Sequence, residues 1–332
     1  MPPMSLLVIT FVAIALTFDF LNGFHDSANI VATMIASRAM GPRRALALSA
    51  SAHFAGPFLF GVAVATTVGH EVVAPYASTL AVVIAALLAA ITWNLITWFF
   101  GIPSSSSHAL MGGLVGAAIV GYGVEAIQFH GLMKVFAALL LSPPLGLIAG
   151  YLFMKLVLFL SRGASPRINI FFKRIQTFTA LWLALSHGAN DAQKTMGIIT
   201  MGLVSTGVLH QFHVPTWVVA ACAGAISIGT ATGGWRIIHT LGGKFYKIRP
   251  VHSFTSQATS AAVILGAALL GGPVSTTQVV SSAILGVGSA ERVNKVRWGV
   301  AGNIVTAWLL TIPASGVLAA LAYLVVSRYV QL

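Results

Sequence analysis

Apolar residues run along this chain in blocks, separated by short polar breaks. A helix needs about 20 apolar residues to cross the ~30 Å hydrocarbon core of a bilayer, and ten segments stand out on that scale. The first five cover residues 5–37, 45–67, 78–100, 103–122 and 132–160, and the second five cover 177–209, 215–235, 255–271, 273–288 and 299–327. The pattern predicts an all-α integral membrane protein with a first unit over 1–160, a linker over 161–176 and a second unit over 177–332. Segments 5–37 and 177–209 each carry a polar patch. As one straight helix, 5–37 would measure about 50 Å, too long for an untilted span, so the patch at 22–29 predicts a break.

Composition agrees with the pattern. Hydrophobic residues make up 57% of the 332 and charged residues only 7%, against about 25% charged in soluble domains. Such a chain cannot solvate a water-facing surface of its size, so lipid must cover most of it. The net charge of +12 does not point to nucleic acid, because the basic residues sit in the breaks. Four breaks hold fourteen of the eighteen: Arg38, Arg43 and Arg44; Arg162, Arg167, Lys173 and Arg174; Arg236, Lys244, Lys247 and Arg249; and Arg292, Lys295 and Arg297. The breaks near 68–77, 121–131 and 210–214 hold none. If all ten segments cross, every basic break falls on one side, which the positive-inside rule makes cytoplasmic. Both termini then face outward from the cell (inner) membrane. The first apolar stretch lacks a basic n-region and reads as a retained segment. The single cysteine, Cys222, excludes an intrachain disulfide.

Five crossings per half is an odd number, so the second half starts from the opposite side, which makes an inverted repeat. The residues support it. Gly23-Phe24-His25-Asp26-Ser27-Ala28-Asn29 resembles Gly188-Ala189-Asn190-Asp191-Ala192-Gln193-Lys194, and Pro103-Ser104-Ser105-Ser106-Ser107-His108 resembles Pro273-Val274-Ser275-Thr276-Thr277-Gln278. The spacings are nearly equal, 165 residues from Asp26 to Asp191 and 170 from Pro103 to Pro273. Both motifs set polar residues inside apolar runs. Broken helices or re-entrant hairpins are tolerated at such depth where they line a cavity or are buried in protein, and each exposes a helix N-terminus suited to an anion. The hydroxyl runs add donors there, and proline suits a first helical turn. Gly112, Gly113 and Gly116 read as close-packing residues. His53 and Asn94 read equally as packing or functional residues.

Of six carboxylates, Glu71, Glu125 and Glu291 fall in breaks, while Asp19, Asp26 and Asp191 lie within or beside apolar segments. An aspartate at the bilayer centre costs about 2.5–3.5 kcal/mol on insertion scales, so it reads as functional by default. Asp26 and Asp191 are repeat-related and Asp19 is not. Asp191 has Lys194 three residues on, whereas Asp26 has no cation nearby in sequence and is the better candidate for binding an ion or proton.

These motifs resemble the signature of the inorganic phosphate transporter (PiT) family, and within it the bacterial low-affinity transporters. The stretches that carry the likeness are Asn22 to Asn29, Trp93-Asn94 with Gly101 to His108, and Ser186 to Gly197. Gly233-Gly234-Trp235-Arg236, Pro273 to Thr277, and Thr306-Ala307-Trp308 with Pro313 extend it over almost the whole chain. The resemblance implies cation coupling at the Asn/Asp motifs: Asp26, Asn29, His25, Asn190 and Asp191, with sodium as one candidate at Asp26, Asn29, Asn190 and Asp191. It implies phosphate, free or as a metal–phosphate complex, at Ser105, Ser106, Ser107, Ser275, Thr276 and Thr277, with Gln193 and Lys194 beside them. It implies no cofactor beyond the coupling ion, H+ or Na+, no enzymatic activity, and a chain in lipid, alone or as a homodimer. The sequence departs from the family motif in three places. His25 stands where an Asn is expected, Lys194 where the second Asn would be, and Gln278 where the partner of His108 would be.

The ammonium of Lys194 beside Asp191 competes with sodium, so protons are the expected coupling ion. Sodium coupling, sulfate transport, an anion channel and an intramembrane hydrolase using Ser104–Ser107 are the rival readings. The orientation is testable with single cysteines in intact cells. Tyr76→Cys should label from outside and Ser165→Cys should not, and outside labelling of Ser165→Cys would overturn the topology.

Overall fold

The computed structural model describes residues 5–330, so the outermost terminal positions, 1–4 and 331–332, lie outside the described residues. The chain is helical throughout: α1 Leu6–Ala36, α2 Pro42–Leu59, α3 Ala63–His70, α4 Leu80–Phe100, α5 Ser106–Tyr122, α6 Phe129–Leu160, α7 Ile168–Ser205, α8 Thr216–Thr232, α9 Trp235–His239, α10 Pro250–Leu269, α11 Thr276–Glu291 and α12 Trp298–Val326. Strand pairing among the described residues is one isolated bridge, Val73 to Ile127.

The helix breaks are not where the polar patches suggested. Both α1 and α7 run unbroken through their Asp motifs, because their polar side chains find partners on other helices and the backbone ladder has no need to open. At 31 residues α1 is about 46 Å long, which tilt or protrusion accommodates in a ~30 Å core. Helix α7 takes in most of the expected linker, leaving 161–167 outside helices. The real breaks fall inside two segments expected to be straight. Helices α2 and α3 meet at 77°, after Pro57 and at Gly61, and α8 meets the following segment at 60° at Gly233-Gly234. Gly61 and Gly233 both have positive φ, a conformation open to glycine and strained for other residues.

Each break is held by a side chain from one of the unbroken helices. The Gln193 carbonyl on α7 accepts from the Val64 N–H at the start of α3 (2.9 Å), and the Gly234 N–H donates to the Ser27 hydroxyl on α1 (2.8 Å).

Helices α4 and α5 form a hairpin, and so do α10 and α11. Their tips share a design: a positive-φ glycine ends the first arm (Gly101, Gly271), a proline follows two residues later (Pro103, Pro273), and a serine caps the second arm (Ser105, Ser275). The prolines therefore precede the caps instead of occupying the first turn. Helical hairpins thus stand at the hydroxyl motifs, and the breaks expected at the Asp motifs are absent.

The two halves interlock. Helix α1 packs on α8 and α7 on α2, while α5 packs on α12 and α11 on α6. Small residues set the distance, as in other membrane bundles. A Cβ on Gly23 would fall on the Ile226 carbonyl and one on Gly229 on the Phe20 carbonyl; Gly56 and Gly188 stand the same way against Leu185 and His53. Gly112, Gly113 and Gly116 lie against Ile312, Ala86 and Gly316, which is the packing role read from sequence. The outer faces of α6 and α12 carry exposed Leu141, Leu145, Leu152, Leu309, Val317 and Leu321. Among the described residues, four helices are long and apolar enough to cross a membrane, or up to six if each bent pair counts as one span.

Candidate functional site

The hairpin tips meet each other against the middle of α1 and α7. The Ser107 hydroxyl donates to the Val274 carbonyl across the two tips (3.3 Å). Ser105 and Ser275 each accept from the N–H three residues on, His108 and Gln278, so both serve as N-caps. The N–H groups at the first helical positions, Ser106 and Ser107 in α5 and Thr276 and Thr277 in α11, have no carbonyl one turn back to bond. Two positive helix ends therefore approach one another. Tip geometry is fixed from outside: the Trp308 indole donates to the Pro103 carbonyl (3.0 Å), and the Thr97 and Ser104 hydroxyls bond at 2.7 Å.

Asp26 and Asp191 both reach this point and are fully buried. Asp26 contacts the His25 Nδ1 (2.8 Å) and accepts from Thr277 (3.0 Å) on one oxygen, with the Thr276 hydroxyl 3.2 Å from the other. That same Thr276 hydroxyl lies 3.0 Å from an Asp191 oxygen. A hydroxyl has one proton to give, so it can satisfy one carboxylate and leaves the second oxygen facing it in need of a proton or cation. Asn29 extends the set by donating to the Thr277 hydroxyl (3.1 Å).

Lys194 settles its own position. Its side chain is buried and its ammonium donates to Asp191, to the Ser107 hydroxyl (2.6 Å) and to the Val274 carbonyl (2.8 Å). Three donors have three acceptors, one from α7 and one from each tip. The cation does not reach out to the surface. The histidines aside, two carboxylates and one fixed cation leave the cluster with one uncompensated negative charge.

The residues expected at the site divide accordingly. Asp26, His25, Asn29, Asp191, Lys194, Ser107, Thr276 and Thr277 come together. Ser106 is buried in the first turn of α5, and Asn190 donates to the Gly272 carbonyl at the second tip (3.3 Å). Gln193, expected beside phosphate, instead bonds the start of α3.

Two histidines join that sequence reasoning did not assign. His187 lies 3.2 Å from Asp191 and 3.9 Å from Asp26, and His53 stacks on it with ring centroids 4.9 Å apart while bonding Thr230 (2.7 Å). The signal for His187 was available, since it stands four residues before Asp191 on one helical face. Ligand atoms of Asp26, His187 and Asp191 lie within 4.8 Å of one another, so this trio could hold a small cation. Asn94 is buried with its amide unpartnered.

A cavity of about 860 Å³ lies elsewhere, lined by Lys155, Lys247, Arg249, Arg292 and Lys295 with Glu291, and shares no residue with this cluster. Partial burial, with Arg249 and Arg292 nearby, holds the Lys295 ammonium below the usual lysine range.

Comparison with known proteins gives the family. The chain matches the phosphate transporter family over residues 22–166 and 161–319. It is 46% identical over 327 residues to a protein of Bacillus subtilis named a probable low-affinity inorganic phosphate transporter, covering 97% of this chain and 98% of that one. It is also 46% identical to a protein of the same name from Rhizobium meliloti, covering 96% of each. A solved structure titled "The sodium-dependent phosphate transporter" superposes with a TM-score of 0.88 at 25% identity, over 98% of this chain and 100% of that one. The relatives are named as transporters, not as enzymes. This chain is a multi-pass membrane protein belonging to the phosphate transporter family.

Proposed function

We propose that the chain is a secondary active symporter that carries inorganic phosphate inward with protons. Ten membrane segments form two inverted repeats, 1–160 and 177–332, in the cell membrane with both termini outward. The recurrence of a long unbroken helix, a bent pair, a hairpin and a long outer helix in each half supports the repeat. The single observation that carries the functional reading is the meeting of two hydroxyl-bearing helix N-termini over two carboxylates with one fixed cation between them.

Phosphate binds between the tips, taking donors from Ser106, Ser107, Thr276, Thr277 and the free N–H groups of both helices. Lys194 turns an N–H from the Val274 carbonyl to the anion. Asp191 keeps its partner in Lys194, so Asp26 is the carboxylate that needs a mobile positive charge. His25 and His187 stand beside it to share a proton. Because Lys194 is buried and fully bonded, a sodium ion about 4 Å from it would meet roughly 4 kcal/mol of repulsion even at an effective dielectric of 20. Sodium at the Asp26, His187 and Asp191 trio is the second reading, favoured by the proximity of those ligand atoms.

Each charge-assisted hydrogen bond lost to a desolvated oxyanion costs roughly 1.5–3 kcal/mol. Ser106→Ala and Thr276→Ala should therefore each weaken phosphate binding, measured by calorimetry, by about tenfold or more. Unchanged binding in both variants would move phosphate to another site.

Coupling is checked in proteoliposomes. An inward proton gradient in sodium-free buffer should drive phosphate accumulation and counterflow of labelled phosphate, and Lys194→Asn should lose activity or gain a sodium requirement. A strict sodium requirement in the unmodified protein, with no response to a pH gradient, would refute proton coupling.

A further inference from the structure

The transport reading uses Asp26 and Asp191 and leaves the third intramembrane carboxylate without a task. Asp19 lies on α1 seven residues before Asp26, about 10 Å toward the helix N-terminus. It is fully buried. The Thr195 hydroxyl donates to one oxygen at 2.9 Å, and the other oxygen has no hydrogen-bond partner.

The neighbours give it no counter-ion in contact. Helix α7 brings Thr195 and, farther off, Asp191 and Lys194, whose charges act on it with opposite signs; α8 brings the Cys222 thiol. Helix α4 carries no titratable side chain. The buried titratable group of α2, His53, is occupied by Thr230 and His187. An ionised carboxyl buried without a paired cation carries a large desolvation cost.

Asp19 is also the outer end of a file. Asp19, Asn22, Asp26, Asn29, Thr33 and Ser37 recur every three or four residues along one face of α1, and all are buried. Four atoms along this face have no partner: Asp19 Oδ2, Asn22 Oδ1, His25 Nε2 and Asn29 Oδ1. Buried polar atoms are nearly always bonded, and such a run of open acceptors and donors is what ordered water satisfies.

We propose that Asp19 is a second proton-binding carboxyl, which passes its proton through water against Asn22 to the His25–Asp26 pair. The inference rests on the proton-coupled reading, with the N-terminal end of α1 outward. In the step, the Asp19 O–H bond breaks and its proton goes to the bridging water. That water gives a proton to the His25–Asp26 pair, so a new N–H or O–H bond forms there. The Asp19 carboxylate is then reprotonated from the outer side. No electrons change hands beyond the bonding pairs.

Two measurements on purified, monodisperse protein test this. Infrared spectra at neutral pH should show a protonated-carboxyl band that Asp19→Asn removes and Asp26→Asn keeps, and a band unchanged by Asp19→Asn would overturn the assignment. In proteoliposomes under an imposed pH gradient, Asp19→Asn should slow phosphate uptake by about a hundredfold or more, the low end of what a positioned proton donor contributes. Phosphate binding by calorimetry should stay within about twofold, and Asp19→Glu should restore uptake with a displaced pH profile. Native rate and native pH profile in Asp19→Asn would overturn the relay. An unmodified protein blind to the pH gradient would refute proton coupling and the relay together, while the infrared band would still report whether Asp19 holds a proton.

Discussion

Two carboxylates share a water-poor space with one lysine, and most of the architecture follows from keeping that arrangement intact. A buried charge is tolerable only when paired and hydrogen-bonded. Lys194 meets this demand for Asp191 with an ion pair and two further acceptors, one on each hairpin tip. The same ammonium thereby ties together elements distant in sequence: α7, the start of α5 and the loop before α11. Removing it would leave Asp191 uncompensated and loosen both tips at once. Asp26 has no such fixed partner, and its surroundings are hydroxyls, an amide and imidazoles, groups that can rearrange around a proton.

The scaffold around the cluster consists of helices that stay straight where chemistry is done and bend elsewhere. Helices α1 and α7 remain continuous while several of their polar side chains, Ser27, Asn29, Asn190, Gln193 and Lys194 among them, bond groups on other elements. Ser27 and Gln193 show this most directly, since each anchors the break in a helix of the opposite half. Interlocking of the halves through Gly23, Gly229, Gly56 and Gly188 brings backbones close enough for such short side chains to reach. A rearrangement of one half against the other would move both bends and both tips together, which is what alternating access around a fixed site requires.

Much of this was legible in the sequence, and the parts that were not have physical causes. Apolar blocks gave the helices, and the paired hydroxyl runs after Pro103 and Pro273 gave the two hairpins, because a run of donors that cannot face lipid must meet something. Pairing of Asp26 with Asp191 was visible in their spacing. The supposed break at 22–29 was not real, since a one-dimensional pattern shows polar residues but not the partners on other helices that satisfy them. The bend at Gly61 was hidden inside a run that reads as one span. Gln193 looked like a ligand by its neighbours in sequence, yet its helical position turns it toward α3. His187 is a less telling residue in an apolar run than a carboxylate, although it stands one turn before Asp191 on the same helix.

The central claim is that Asp26 takes up a mobile proton when phosphate binds, and calorimetry of phosphate binding tests it most directly. Titrations in sodium-free buffers of different ionisation enthalpy give the net protons taken up per phosphate bound. The unmodified protein should take up about one proton more than Asp26→Asn, as linkage requires of a group protonated with the ligand. Equal proton uptake by the two proteins, or phosphate binding seen only when sodium is added, would contradict it.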